Sequence, residues 1–254
     1  MSRIVGVFGH ISDSERERIL RRMLGSIAYP EGESTVGAYT CAPAGASVGW
    51  TCHVGEFADC MPIHNETGDI HLFLAGEIYH DSSVRNELRW KGHTFAALDA
   101  SYLVHLYEER PEAFLHLLNG CFCGFLIDQR RKNVRVFNDR YGIGRVFYHE
   151  QDGLRYFASE ARAILSVCPS TRNLDLHAVG EFVVAGCTLG SRSLYQGIAI
   201  LDPGSSWIVS RESMQKKHYH DPKDARQRCG EATLQGIVST MPRVVERYVS
   251  GRLD

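Results

Sequence analysis

Residues 3 to 9 read Arg-Ile-Val-Gly-Val-Phe-Gly, an apolar run that ends in glycine almost at the start of the chain. A short apolar run bounded by a turn-forming residue predicts a buried strand. Just after it, Ser12 and Glu15 have the spacing of a capping box, and apolar residues then recur with helical period. The sequence therefore predicts a strand over 3–9 and a helix over about 13–25.

Further apolar runs are separated by short polar or glycine-containing turns, a pattern typical of antiparallel hairpins. Strands are predicted at 36–41, 46–53, 70–74, 121–128, 134–139, 145–149, 154–158 and 207–209, and the strand at 70–74 is expected to stop at Ala75 and Gly76. Helices are predicted over 81–90, 98–108, 111–118, from 159 onward and over 175–185. Because strands occur in runs with helices grouped between them, we expect a layered α+β fold rather than a doubly wound sheet.

Composition and charge exclude several classes of function. The 254 residues, of which 44% are hydrophobic, suffice for one large domain. A net charge of -2, from 28 basic and 30 acidic residues mixed along the chain, offers no surface for a nucleic acid or an anionic membrane. No apolar run approaches the roughly eighteen residues of a membrane span, and the first apolar stretch is too short for a signal peptide. A soluble, cytoplasmic protein is expected.

The eight cysteines form neither a disulfide framework nor a metal-binding pattern. None belongs to a Cys-x-x-Cys pair, and we expect the thiols to be reduced. Cys121 and Cys123 are two apart in an apolar run, so they share one face of the predicted strand. His218 and His220 also share a face, but no third ligand lies near them in sequence. No metal site is predicted.

The composition and the hydrophobic pattern of the chain change after about residue 212. Residues 216–228 are polar and charged like a linker, and 231–249 carry apolar residues at helical spacing. We expect a main domain over 1–212, followed over 213–254 by a linker and the first helix of a truncated or missing further domain. An apolar helical stripe normally packs against a partner layer, so this helix predicts a further domain or a dimer contact.

Several motifs in series carry a resemblance to a known family. They are Ala75–Tyr79 (AGEIY), Leu118–Phe122 (LNGCF), Asn138–Ile143 (NDRYGI), Phe157–Glu160 (FASE) and Leu201–Gly204 (LDPG). In order and spacing they resemble the class II glutamine amidotransferase domain of asparagine synthetases, over roughly residues 1–210. The resemblance implies a four-layer αββα sandwich of two antiparallel sheets, of the N-terminal-nucleophile hydrolase type. In such domains the first strand presents the N-terminal residue to the active site.

The nucleophile of that family is a cysteine exposed by removal of the initiator methionine. It attacks the carboxamide of glutamine, its free α-amine serves as base, and the released ammonia passes to an ATP-using ligase domain. The family begins Met-Cys-Gly-Ile, whereas this chain begins Met1-Ser2-Arg3-Ile4. A serine hydroxyl is a far weaker nucleophile than a thiol when no base activates it. Ser2 thus occupies the catalytic position and is expected to be inactive.

Substrate positions implied by the resemblance also differ. The family places asparagine before the glycine matched by Gly76, and its amide donates to the developing oxyanion, but this chain has Ala75 there. Loss of one such donor typically costs about 10²–10³ in rate. The region 41–60 contains no arginine to hold the substrate carboxylate. Asp99 aligns with the aspartate that receives the α-amine of glutamine, so Ala75, Gly76 and Asp99 are vestigial substrate positions.

Each of these residues also has a structural interpretation. Gly76 would serve a backbone turn, Asp99 would cap the helix beginning near it, and Ser2 is a frequent N-terminal residue. Asp139 and Arg140 are interpreted as a salt-bridged turn that supports the hairpins. These alternatives stay open at the level of sequence.

The expected function is the N-terminal domain of an asparagine synthetase-related, ATP-dependent amide-forming ligase that has lost glutamine hydrolysis and acts as a scaffold or docking domain. β-Lactam synthetases and lasso-peptide cyclases resemble this arrangement. No cofactor is expected in this chain, since ATP and Mg²⁺ belong to a synthetase domain in cis or in trans. Alternatives are an active N-terminal serine amidohydrolase and a stand-alone binding module, which could form a homodimer.

Overall fold

A computed structural model describes residues 2–29, 34–79, 82–97, 99–210, 213–221, 223 and 234–253. Its strands are β1 (Arg3–Gly9), β2 (Ser34–Cys41), β3 (Ala46–His53), β4 (Ile63–His64), β5 (Ile70–Ile78), β6 (Gly120–Asp128), β7 (Asn133–Asn138), β8 (Phe147–Gln151), β9 (Leu154–Ala158), β10 (Ala199–Ile200), β11 (Ser206–Val209) and β12 (Met214–Gln215). Its helices are α1 (Asp13–Ile27), α2 (Ser82–Trp90), α3 (Tyr102–Glu109), α4 (Phe114–Leu117), α5 (Ala161–Val167), α6 (Leu176–Ala185) and α7 (Leu234–Leu253), with a 3₁₀ turn at Pro169–Thr171.

The strands form two antiparallel sheets of six. The first sheet has the order β10-β8-β9-β1-β3-β2, and the second has the order β12-β11-β7-β6-β5-β4. Helices α1 and α5 pack on the outer face of the first sheet, while α3 and α4 pack against the second. The expected α+β class and the αββα layering are therefore confirmed, and α7 is the C-terminal helix.

The first strand is buried on both of its faces. Ile4 and Phe8 point into the large apolar cluster between the two sheets. Val5 and Val7 point the other way, into the cluster formed with α1 and α5. Because side chains alternate along a strand, a strand covered on both faces needs an uninterrupted apolar run, which is what residues 3–9 supply.

The first helix begins where its sequence indicates and ends slightly later. Ser12 adopts an extended conformation, and its side-chain oxygen accepts the backbone N–H of Glu15, so the predicted N-cap is confirmed. The helix runs to Ile27, two residues beyond the expected end, because Met23, Leu24 and Ile27 continue the buried stripe.

The expectation that the strand at 70–74 stops at Ala75 and Gly76 is wrong. Strand β5 continues to Ile78 and pairs with β6 along its whole length, with Gly76 opposite Phe122. Gly76 has a φ of 112°, and a Cβ at this position would lie 2.1 Å from the carbonyl oxygen of Cys121. The glycine thus permits a close backbone approach inside the strand rather than ending it.

Other boundaries differ from the expectation. Helix α3 begins at Tyr102 rather than near residue 98, and α4 covers only Phe114–Leu117. The two-residue strands β4, β10 and β12 were not predicted, because two residues carry no periodicity. Leu98 and residues 231–233 at the predicted start of the C-terminal helix lie outside the described residues.

The cysteines in the described part of the chain form no disulfide with one another, and Cys229 lies outside it. Among the same residues no helix combines the length and the apolarity that crossing a bilayer requires. Beyond residue 212, β12 pairs with β11, and the Tyr219 hydroxyl donates to the carbonyl of Asn138 at 2.9 Å. The division into 1–212 and 213–254 stays a prediction.

Two glycine substitutions near Leu24 should change stability in opposite directions. Gly25 lies in α1, and a Cβ at this position would have nothing within 4 Å, so Gly25→Ala should raise the free energy of unfolding by about 0.5–1 kcal/mol. Gly49 lies in β3, where a Cβ would come within 2.6 Å of the Leu24 side chain, so Gly49→Ala should lower it by about 1–3 kcal/mol. Urea unfolding followed by circular dichroism measures both changes. Equal effects of the two variants would contradict this packing.

Candidate functional site

A cavity of about 430 Å³ opens at the N-terminal end of β1. Its walls come from Ser2 and Arg3, from β5 and β6, from the loop that joins β7 to β8, and from the residues that follow β9. We call it the Ser2 cavity. Three of the predicted site residues, Ser2, Ala75 and Gly76, line it together.

Ser2 lines this cavity and is 5% exposed. Its Oγ accepts the backbone N–H of Gly76 at 3.2 Å, which joins the start of β1 to β5 in the other sheet. The next residues are fixed by Ser159, whose Oγ accepts the N–H of Ile4 and whose own N–H donates to the Ile4 carbonyl. These hydrogen bonds fix the start of β1, and they hold the Ser2 hydroxyl against the backbone N–H of Gly76.

Ala75 supplies the wall beside this contact. It lies opposite Cys123 on β6 and is 5% exposed, and its methyl group has nothing to donate. The Gly76 N–H is thus the hydrogen-bond donor that β5 offers at this point, and the Ser2 hydroxyl already occupies it.

Arg3 forms a second wall through a charged network. Its Nε lies 2.6 Å from Glu160 Oε1, another guanidinium nitrogen donates to the carbonyl of Ile27, and the group stacks over Tyr29 at 3.9 Å from the ring centroid. Glu160 also pairs with Arg162. Sequence reasoning noted Arg3 as a departure from the family but missed its partners, because Glu160 is more than 150 residues away in the chain.

The loop 141–144 of the cavity is held by a buried carboxylate. Asp139 is 1% exposed, and its two oxygens accept the backbone N–H groups of Phe122, Tyr141, Ile143 and Gly144. A buried charge is tolerated where hydrogen bonds of this kind replace water. The carboxylate therefore fixes the cavity loop against β6.

The predicted salt-bridged turn at Asp139 and Arg140 was wrong. Among the described residues no ion pair joins the two side chains, and Arg140 donates instead to the carbonyl oxygen of His116 at 2.6 Å. Backbone amides satisfy Asp139 because the turn folds around its carboxylate, an arrangement that sequence spacing does not distinguish from a charge pair.

Asp99, the fourth predicted site residue, does not line the Ser2 cavity. Its carboxylate accepts the N–H and the hydroxyl of Ser101, and its carbonyl accepts from Arg85. Helix α3 begins one residue after Ser101, which makes no side-chain cap. Asp99 thus closes a turn ahead of the helix rather than capping it, and its charge is a secondary cause, after burial, of the raised pKa of Cys60, about 11.

The sequence did not predict that two thiols would lie in the cavity wall. Cys121 and Cys123 both line the Ser2 cavity, as expected for residues that share a strand face. Burial, reinforced by the negative charge of Asp139, raises the pKa of Cys123 to about 12. The Cys121 sulfur lies 3.7 Å from the hydroxyl of Tyr79. At neutral pH Cys123 is therefore a neutral thiol and a poor nucleophile.

Alkylation should separate the cysteines by environment. The thiolate is the reactive form, and a pKa of about 12 leaves less than about one Cys123 in ten thousand ionised at pH 7.5. Cys52, whose pKa burial likewise raises to about 12, should behave in the same way, whereas Cys187 is exposed. Iodoacetamide at pH 7.5 followed by peptide mass spectrometry should find Cys187 modified before Cys123 and Cys52. Modification of Cys123 at a similar rate would contradict the assigned environment.

Comparison with known proteins identifies the family. The family model described as "Glutamine amidotransferase domain" matches residues 1–220. The chain is 27% identical over 203 residues to asparagine synthetase [glutamine-hydrolyzing] 3 of Bacillus subtilis strain 168, which covers 74% of this chain and 33% of that protein. It is 34% identical over 164 residues to asparagine synthetase [glutamine-hydrolyzing] 2 of the same organism, covering 62% and 22%.

A solved structure agrees on the fold. The glutamine phosphoribosylpyrophosphate amidotransferase of Bacillus subtilis, complexed with ADP and GMP, superimposes with a TM-score of 0.62 at 15% identity, over 86% of this chain and 49% of that one. The chain spans about a fifth to a third of the length of the curated asparagine synthetases it matches. Since the family model covers far more than half of the sequence, the chain belongs to the family of glutamine amidotransferase domains, within which it is similar to the asparagine synthetases.

Proposed function

We propose that this chain is a glutamine amidotransferase domain that no longer hydrolyses glutamine and instead serves as a scaffold for an ATP-dependent, amide-forming ligase. The observation that supports this most is the pairing of Ser2 Oγ with the Gly76 N–H beside the methyl group of Ala75. The fold, the cavity and the glycine of a glutaminase site are present, but the groups that would perform the reaction are changed.

The first missing element is an activated nucleophile. Among the described residues, Ser2 Oγ forms its hydrogen bond with the backbone of Gly76, and neither an imidazole nor a carboxylate bonds to it. Glu160, the acidic residue of the cavity wall, is engaged by Arg3 and Arg162. The α-amine of Ser2 could act as base only after removal of Met1, and a hydroxyl depends on such a base more than a thiol does.

The second missing element is the pair of donors for the oxyanion. A tetrahedral intermediate formed at Ser2 would receive the Gly76 N–H, but Ala75 offers no second donor. The loss of one donor typically costs about 10²–10³ in rate. The missing donor lowers the rate further than the weak nucleophile alone, because the donor would stabilise the negative charge that develops on the substrate oxygen after attack.

The third missing element is the set of charged side chains that would orient glutamine. The stretch 41–60 holds no arginine, Asp99 lies outside the cavity lining, and Arg3 is committed to Glu160. Orientation of the glutamine carboxylate and α-amine is what positions the carboxamide for attack. Arg145 is the remaining guanidinium of the cavity lining, and with Asp99 outside the lining the α-amine has no such partner, so the cavity would hold glutamine poorly even with a competent nucleophile.

The ligase half is proposed from the relatives, since the matched segments make up only 33% and 22% of their lengths. Their names assign them glutamine-dependent asparagine synthesis, and we propose that a synthetase domain in cis or in trans supplies the ATP and Mg²⁺ chemistry here. The apolar residues exposed on α7, Ile237, Val238 and Met241, offer it a docking surface or a homodimer contact. A cytoplasmic location fits such a ligase.

A second candidate is an active N-terminal serine amidohydrolase, which the exposure of Arg145 on the cavity wall favours. Arg145 lines the cavity and is exposed, so its guanidinium could hold a carboxylate of a substrate other than glutamine. This candidate requires that Met1 be removed, so that the α-amine of Ser2 is free to act as base.

The rate of glutamate release tests the role of Ser2. Purified protein incubated with glutamine should release glutamate no faster than Ser2→Ala, because Ser2 does not act as a nucleophile. A coupled glutamate assay measures both rates, and intact-mass spectrometry reports whether Met1 is present. Glutamate release that disappears in Ser2→Ala would overturn the proposal, and retained Met1 would exclude the serine amidohydrolase.

A variant that carries the family's residues at three positions tests the missing oxyanion donor. A variant with Ser2→Cys, Arg3→Gly and Ala75→Asn should release glutamate about 10²–10³ times faster than the matched variant that carries Ser2→Cys and Arg3→Gly with Ala75 unchanged, because only the former has the second oxyanion donor. Circular dichroism checks that both variants fold. Equal rates in two folded variants would show that Ala75 is not a missing donor position.

A further inference from the structure

We propose that the protein binds one divalent transition-metal ion, best matched by Zn²⁺, through Glu66, His93, His105 and Glu108. One ligand atom from each of these four side chains lies within 4.8 Å of the other three. None of the four lines the Ser2 cavity, so the site is separate from the amidotransferase chemistry. The proposal does not depend on whether glutamine is hydrolysed.

Three segments of the chain meet at this point. Glu66 lies in the turn between β4 and β5, and His93 follows the end of α2. His105 and Glu108 are three residues apart on α3, so they project from one face of the helix. A metal there would connect the turn, the α2–α3 loop and the helix.

The spacing of the donor atoms suits a tetrahedral ion. His105 Nδ1 lies 3.3 Å from Glu108 Oε2 and 3.6 Å from Glu66 Oε2. Nitrogen and oxygen ligands at about 2.0–2.2 Å from a tetrahedral zinc lie about 3.3–3.6 Å from one another. The His105 imidazole therefore already lies at a zinc-ligand separation from each of the two carboxylates, and the fourth ligand, His93, lies within 4.8 Å of all three.

Neighbouring groups fix the orientation of two ligands. Asn65 is buried and donates to Glu108 Oε1 at 2.8 Å, which leaves Oε2 directed toward His105. His93 Nε2 lies 3.1 Å from Glu109 Oε1, so its Nδ1 is the nitrogen that remains for a metal. A carboxylate bonded to the second nitrogen of a ligating histidine is the usual outer partner in zinc sites.

The balance of charges around the cluster also favours a bound cation. In the ion pairs of the described residues, Glu66 and Glu108 meet the ring of His105, and Glu109 meets the ring of His93 and the ammonium group of Lys91, which lies 2.5 Å away. With neutral imidazoles, three negative charges and one positive charge leave an excess of two, which a divalent cation would neutralise. Glu87, the other carboxylate near Lys91, pairs with Arg110.

The ligand set decides the metal and its role. Two imidazoles with two carboxylates suit Zn²⁺ better than Mg²⁺ or Ca²⁺, which prefer oxygen ligands alone. Four protein ligands leave no open position for a substrate, so the ion would stabilise structure rather than catalyse a reaction. His105 is 4% exposed and anchors the site in the protein, while Glu66 is exposed and closes it at the surface.

Metal titration tests the proposal directly. Protein treated with a chelator and then titrated with ZnCl₂ in a calorimeter should bind one equivalent and gain thermal stability. Glu66→Gln and His93→Ala should each weaken binding at least about tenfold, and Glu109→Gln, which removes an outer partner, by about 10–100-fold. These three positions are partly exposed, so the variants should fold, which circular dichroism verifies.

The matched control is His177→Ala on α6. His177 Nδ1 lies 3.4 Å from Glu181 Oε1, so this variant removes a similar histidine–glutamate pair that belongs to no cluster of metal ligands among the described residues. Its zinc affinity should equal that of the unaltered protein. No zinc binding, affinity unchanged in Glu66→Gln and His93→Ala, or a Co²⁺-loaded protein with an intense near-ultraviolet thiolate band would each overturn the site, the last by placing the ion on cysteines.

Discussion

The burial of β1 on both faces is the constraint on which the rest of the structure depends. The strand lies between β9 and β3, with Ile4 and Phe8 facing the second sheet and Val5 and Val7 facing α1 and α5. A strand enclosed in this way cannot slip by one residue without exchanging its two apolar faces. Its N-terminal end is therefore fixed in space, and Ser2 must lie against β5 at the Gly76 amide.

A second constraint is the Asp139 carboxylate. Its backbone hydrogen bonds join the loop 141–144 to Phe122 on β6, the strand that also carries the two cavity thiols. Removing this carboxylate would leave the buried N–H of Phe122 without an acceptor, at a cost of about 1–3 kcal/mol, and would release three partly buried N–H groups of the loop. The cavity is thus a consequence of two structural demands, the position of β1 and the hydrogen bonding of the loop amides to Asp139, and neither demand requires catalysis.

This separation would allow an amidotransferase fold to keep its cavity while the reacting groups change, as we propose for this chain. Gly76 has a positive φ and a close approach to the Cys121 carbonyl, so a glycine is needed there for the strand pairing alone. Ala75 and Arg3 meet no such demand. An alanine methyl fits the wall of β5, and the Arg3 side chain finds Glu160 and Tyr29. Substitution at these positions alters the chemistry of the cavity without disturbing the sheets that form it.

The sequence by itself determined the elements whose signals are local. The uninterrupted apolar run of β1, the capping box of α1, the hairpin turns and the shared face of Cys121 and Cys123 all follow from residues close together in the chain, so they could be predicted. Its motifs also identified the family and three of the residues that line the cavity. Only the tertiary structure decided which distant groups meet. Arg3 with Glu160, the Asp139 carboxylate with four amides, the passage of β5 through Gly76, and Glu66 with His105 depend on how sheets and helices pack. No local periodicity encodes these pairings, because the free energy that selects them comes from burying the whole core at once.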